Sequence, residues 1–258
     1  HHRITQARAL GATAVVQRPL TAAQFRDIVL RRDPQILLTA SRNSEDASSD
    51  LAAIEDIFSV ARSGQVPSMA SVSQAGAQIV ERIQEIGLSG YLSTIRSHHS
   101  RTYTHCLIVT AVAASFGIHL GFGRKDRERV AIAGLLHDIG KSQIALDILE
   151  KPAELSEQER AVMNAHPVIG YDMLRGTPGL ADDTLDMVLH HHEYLDGSGY
   201  PHGLRGSEIS DLNRLITIAD VYGALIEPRS YKPPMTLTQA FDTLQAMGPK
   251  LDRALVRA

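Results

Sequence analysis

The chain has a single cysteine, Cys106. No internal disulfide is therefore available, and the composition suits a reducing compartment, so the expected location is the cytoplasm. No uninterrupted apolar run reaches the roughly 18 residues of a membrane span. No signal peptide is visible either. The formal charge of −3 gives no electrostatic case for wrapping nucleic acid. Tryptophan is absent, whereas there are 12 histidines, and they are clustered in a way that bulk composition does not explain. The first residues are His-His rather than Met, so the chain reads as a fragment or as carrying a tag remnant. With 258 residues and 43% hydrophobic content, it can form one large domain, or a medium domain plus a small piece.

The first 36 residues differ from the rest. "ITQARALGA" reads as a short helix, "TAVVQ" as a β-branched strand, and "TAAQFRDIVLRR" as a helix with Thr21 as N-cap. That order suits a partial α/β unit, too short to bury a core alone. "TASRNSEDASSD" (39–50) is polar and serine-rich, and "SGQVPSMAS" follows, so 37–71 is expected to be linker. From 72 to 258 the pattern is helical almost throughout. Ser156 with Glu159 forms a capping-box pattern, and Pro167 suits the first turn of a new helix. The expected fold is mainly α, an all-helical bundle preceded by the small α/β segment.

The candidate chemistry lies on the helical part. His105 sits within "YTHCLIVT", His137-Asp138 follow "AIAGLL", His166 precedes Pro167, His190 to His192 follow "DMVL", and Asp220 follows "LITIA". Glu193 and Asp196 flank the triplet. Imidazoles and carboxylates on or at the ends of apolar helices are buried or half buried, and buried charges need partners. A divalent cation partners them all at once. Nitrogen and oxygen donors without thiolate disfavour a structural zinc site and suit Fe, Mn, Zn, Ni or Co in a catalytic one. Five or six imidazoles and two aspartates exceed the needs of one ion. Two ions about 3.5–4 Å apart, bridged by a carboxylate, would use them, and a shared hydroxide could then attack a phosphate ester.

Each residue also has a plainer reading. A lone His105 on an apolar helix is more often a hydrogen-bonded core histidine. His166 before proline could be an N-cap, Asp220 could pair with Arg214, and the triplet could be a solvated helix end. The plain reading has to explain all of them together, and also Lys141 four residues beyond His137.

These motifs resemble a known family. "LLHDIGK" (135–141) is similar to the HD signature of the HD phosphohydrolases, and "HHEYLDGSGYP" (191–201) to the HD-GYP pattern. The resemblance covers about 72–258. It implies a bacterial phosphodiesterase that hydrolyses cyclic di-GMP to pGpG, in some members on to GMP. It also implies metal ligation by His105, His137, Asp138, His166, His191, His192 and Asp220, with Asp138 bridging and His190 left out. Lys141 would sit near the scissile phosphate. Glu193 and Asp196 would orient imidazoles and the loop. Gly197, Gly199, Tyr200 and Pro201 would shape a turn lining the substrate groove, a turn linked to contacts with GGDEF cyclase domains. Iron or manganese is the expected pair of ions, with Zn, Ni or Co as substitutes. A homodimer through the apolar helix near 74–95 is a further expectation.

The chain departs from that family in three places. Some members bind a third metal through a glutamate four residues before the first histidine; here that position is Arg101, so two metals are expected. The usual "DAL" is "GAL", with Gly223, and the usual "SDRPYR" is "EPRSYK", with Arg229 and Tyr231 kept. The front segment "ARALGATAVVQRPLTAAQFRDIV" resembles the last third of a response-regulator receiver, with Arg18-Pro19 where receivers carry Lys-Pro. The implied parent is a receiver joined to an HD-GYP domain. Two rival functions stay open: an HD hydrolase of cyclic GMP-AMP or another nucleotide, and an idle domain that senses cyclic di-GMP or docks partners.

Overall fold

Helices account for nearly all the regular structure, as the 3.6-residue periodicity requires. A computed structural model describes residues 34–95, 101–227 and 234–257. Residues 1–33 of the expected receiver-like segment, and Arg229 and Tyr231, lie outside the described residues. Eleven α-helices are described: α1 Pro34–Arg62, α2 Met69–Ile95, α3 Arg101–His119, α4 Arg124–Leu136, α5 Leu146–Leu149, α6 Glu157–Met163, α7 His166–Leu174, α8 Asp182–His190, α9 Asp211–Ile226, α10 Leu237–Ala246 and α11 Arg253–Arg257. Short 3-10 turns occupy Ile139–Gln143, Gly206–Glu208 and Gly248–Lys250. Among the described residues there is no strand, only an isolated bridge between Asp196 and Arg205.

The middle of the domain is α3. Its apolar run Cys106–Val109 and Ala111–Ala114 is buried on nearly every face, as a helix that is hydrophobic all round must be. It packs against α2, α4 and α9. The close crossing with α4 depends on Gly134, where a Cβ would come within 2.6 Å of the Thr110 Cα. Helix α2 bends at Gly87, whose φ of +72° places it in the left-handed region that glycine enters without a Cβ penalty.

Residues 46–258 form one unit by internal contacts. The stretch 39–50, expected to be linker, lies within α1. Further along that helix, inside the same expected linker, Ile54, Ile57, Phe58 and Ala61 are buried in the core. These positions follow the three-and-four spacing of an amphipathic helix. The serine-rich stretch ahead of them disguises the pattern. Asp50 is buried beside them, accepting a hydrogen bond of 2.9 Å from the Tyr91 hydroxyl and pairing with Arg82.

Candidate metal centre

Three of the five histidines that line the centre are set by one local device. His137 and His191 are the C-cap residues of α4 and α8, and His166 opens α7 just after α6 has ended. The last carbonyls of a helix have no intrahelical donor. Each ring uses one of them: Nδ1–H donates to the carbonyl three residues back, at Gly134, Val188 and Met163 respectively, each at 2.8 Å. That bond fixes the tautomer and turns every Nε2 lone pair inward.

The lone pairs converge on Asp138. Its Oδ1 is 3.1 Å from His166 Nε2 and 3.9 Å from His191 Nε2. Its Oδ2 is 3.4 Å from His137 Nε2 and 3.9 Å from His105 Nε2. His166 Nε2 and His191 Nε2 lie only 3.2 Å apart. With both Nδ1 atoms carrying the proton, no hydrogen is left to bond two acceptors at that distance. His137 Nε2 and Asp138 Oδ1 are buried with no hydrogen-bond partner among the described residues. Buried acceptors aimed at one another need a cation between them.

Two donor groups result, Asp138–His166–His191–His192 and His105–His137–Asp138, with ligand-capable atoms in each group within 4.8 Å of one another. Asp138 belongs to both, one oxygen toward each. Asp220 lies across them, with Oδ1 2.9 Å from His105 Nε2 and Oδ2 3.3 Å from His192 Nδ1. The donor set therefore fits two divalent ions sharing a carboxylate.

The electrostatics agree. Burial alone would raise the Asp138 pKa, but the Lys141 ammonium and the neighbouring imidazoles hold it well below the usual carboxylate range. Lys141 Nζ donates to Asp138 Oδ2 at 2.6 Å. Burial opposes the charge on Lys141 too, and the Asp138 carboxylate outweighs it and raises the ammonium's pKa. Burial pushes His192 down to about 3 and, with the surrounding imidazoles, holds His191 well below its ordinary value. His137 is held above its own: burial opposes this, and Asp138 and Asp220 prevail. Neutral His191 and His192 beside an ionised Asp138 are in the protonation states that ligate a metal, whereas His137 is drawn toward its cationic form and would release that proton to a bound ion.

The plainer readings of His166 and Asp220 do not hold, whereas His105 does make a core hydrogen bond, between Nε2 and Asp220 Oδ1 at 2.9 Å. The residue at the N-cap before α7 is Ala165, and His166 is buried. Arg214 pairs with Asp252 and Asp211 instead of Asp220. His190 turns away from the cluster, donating through Nδ1 to Asp186 Oδ1 at 2.8 Å, with Nε2 3.0 Å from His202 Nδ1. The sequence reading missed Asp186 and His202. The four-residue step from Asp186 to His190 was the available signal.

The turn after the triplet is built by Glu193. Its buried carboxylate accepts the backbone N–H groups of His202 at 2.7 Å, Gly203 at 3.0 Å and Leu204 at 3.0 Å. Asp196 Oδ1 accepts from Ser198 N and Oγ. Of the two duties expected of these carboxylates, the bonds observed hold the loop and none goes to an imidazole. Gly197 has a φ of +78°. Gly199 lies so close to the preceding backbone that a Cβ would stand 2.5 Å from Glu193 Cα and His192 O. Tyr200 N donates to His192 O at 3.2 Å, and the Tyr200 ring covers His192 with centroids 4.7 Å apart. The Tyr200–Pro201 peptide bond is cis. Glu193→Ala leaves three N–H groups without their acceptor, at about 1–3 kcal/mol for each that stays buried. The expected result is a marked fall in Tm by calorimetry and faster proteolysis at 202–204. Glu193→Gln, which keeps acceptor oxygen, should lose less.

Comparisons with known proteins bear on the family and the fold. A cyclic di-GMP phosphodiesterase of Pseudomonas aeruginosa is 33% identical over 216 residues, covering 80% of this chain and 51% of that protein. A 3'3'-cGAMP-specific phosphodiesterase of Vibrio cholerae is 39% identical over 127 residues, covering 49% of this chain and 24% of that one. The chain thus spans about half, or less, of the length of these relatives. An HDG"Y"P protein from Bdellovibrio bacteriovorus shares the fold, with a TM-score of 0.64 at 19% identity over 82% of this chain and 68% of that one. The HD domain model matches residues 64–255, a span that includes every one of the converging histidines and aspartates. By that match, the chain belongs to the HD domain family.

Proposed function

We propose that this chain is a phosphodiesterase of the HD-GYP subgroup, hydrolysing cyclic di-GMP to pGpG, with further cleavage to GMP as an open second step. The observation that carries the reading is Asp138, whose two oxygens face separate groups of imidazole lone pairs. His105, His137 and Asp138 would hold one ion; Asp138, His166, His191 and His192 the other; Asp220 reaches toward both. When bound, two divalent ions supply Lewis-acid charge to the phosphate oxygens and lower the pKa of the attacking water. Iron or manganese suits these donors, with Zn, Ni or Co as substitutes.

The chain's own groups do the rest. As the water oxygen bonds to phosphorus, the P–O3′ bond breaks and the phosphate stays on the 5′ carbon. The Lys141 ammonium, partly exposed beside Asp138, offsets the charge gathering on the phosphate and can give a proton to the leaving 3′ oxygen. Tyr200 and the glycines of its turn wall one side of the groove. No described helix is long and apolar enough to cross a membrane. A substrate met in the cytoplasm, a GGDEF domain meeting the turn, and pairing of two chains through α2 are further parts of the reading.

A second reading, cleavage of 3'3'-cGAMP, is favoured by the Vibrio relative named for that substrate. Purified chain loaded anaerobically with Fe(II) or Mn(II) is offered each dinucleotide, and products are separated by chromatography. Formation of pGpG or GMP from cyclic di-GMP is expected. Cleavage of cGAMP alone would replace the first reading with the second. Two bound ions with both dinucleotides left intact would favour the idle sensor or docking domain.

A further inference from the structure

His105 is the exception to the device that sets the other rings. It lies inside α3, where the carbonyl three residues back is taken by the helix itself. Its Nδ1 is buried and has no hydrogen-bond partner among the described residues. The group facing that nitrogen is Glu227, the C-cap of α9, buried, with Oε2 3.8 Å away. One turn earlier on α9 stands Gly223, where a Cβ would be 3.6 Å from His105 Cε1. The ring thus lies against a helix that carries no side chain at 223, and the carboxylate of the next turn meets its outer edge.

We propose that Glu227 is a positioning residue of the metal centre: its carboxylate takes the Nδ1–H of His105, fixes that tautomer and leaves Nε2 to face an ion. It does for His105 what helix-end carbonyls do for His137, His166 and His191. A separation of 3.8 Å is about 1 Å too long for a hydrogen bond, and a turn of the glutamate side chain closes it. A carboxylate in this place also makes the imidazole a more basic ligand than a carbonyl would. The inference rests on the two-ion reading and adds to it that the His105 side is held from α9.

Mn(II) binding to the whole chain, counted by equilibrium dialysis without substrate, tests it. Wild type is expected to take up two ions. In Glu227→Ala, one ion should bind about 10–100-fold more weakly and the other as before, the size typical of losing such a partner. Glu227→Gln retains an oxygen that accepts Nδ1–H and should recover most of the affinity with an unchanged melting temperature. Both ions at wild-type affinity in Glu227→Ala would overturn the proposal. So would equal loss of both ions and of thermal stability in Glu227→Ala and Glu227→Gln alike, which would make Glu227 a structural cap. Three ions in wild type and two in Glu227→Ala would make it a ligand instead of a positioning group. No ion bound by wild type would refute the metal-dependent function itself, a result distinct from all of these.

Discussion

Asp138→Ala is expected to abolish turnover, lowering the rate by at least about 10³-fold, and to empty both ion sites. The size follows from comparison. Losing a group that merely orients a ligand costs about 10–100-fold, and losing one donor to a developing charge costs about 10²–10³-fold. Asp138 is asked for more, since it is the one residue common to both donor groups. Its removal also strips Lys141 of its carboxylate partner and leaves the lone pairs of His166 and His191 facing each other at 3.2 Å. Metal analysis of the purified variant, beside a turnover assay, checks this. A variant that retains two ions would show that Asp138 does not bridge.

Gly140→Ala should damage the centre without touching a ligand side chain. A Cβ at 140 would stand 2.0 Å from the carbonyl oxygen of His166 and 2.7 Å from Gly170 N. Both are backbone atoms, so α7 has to move. Overpacking costs about 1–3 kcal/mol and occasionally more, and here the upper end is expected. At roughly 2–4 °C per kcal/mol for a domain of this size, Tm should fall by about 6–12 °C. His166 moves with its backbone, and a 1 Å misplacement can cost about 10²-fold in rate. Calorimetry and Mn(II) affinity report the two effects separately. Native Tm and native affinity in the Gly140→Ala variant would mean that α7 does not approach the 139–143 turn as described.

The candidate metal centre was legible in the sequence because its residues break a rule. Imidazoles and carboxylates at the ends of apolar helices must be buried, and several together need a shared partner. The structure brings together His105, His137, Asp138, His166, His191, His192 and Asp220, and leaves His190 outside. What the sequence concealed was how the rings are aimed. The bonds from His137, His166 and His191 to carbonyls depend on where each helix stops, and helix ends are the least certain feature of a pattern. Glu227 could not be linked to His105, since the contact is made by packing α9 on α3 and no local spacing carries it. The same holds for α1. Its stripe of Ile54, Ile57, Phe58 and Ala61 follows a serine-rich stretch, and tertiary burial overrides that composition. Glu193 was expected to orient imidazoles and the loop. Its three bonds go to the loop alone, at the backbone of His202, Gly203 and Leu204, a reach set by the close approach at Gly199 and invisible to spacing.

The most direct test of the bridged pair is electron paramagnetic resonance of the Mn(II)-loaded chain, wild type beside Asp138→Ala. The wild type should give the spectrum of two spin-coupled Mn(II) ions, as a shared carboxylate at short separation demands, and the variant should lose it. Magnetically isolated ions in the wild type, or a single ion per chain, would contradict the account.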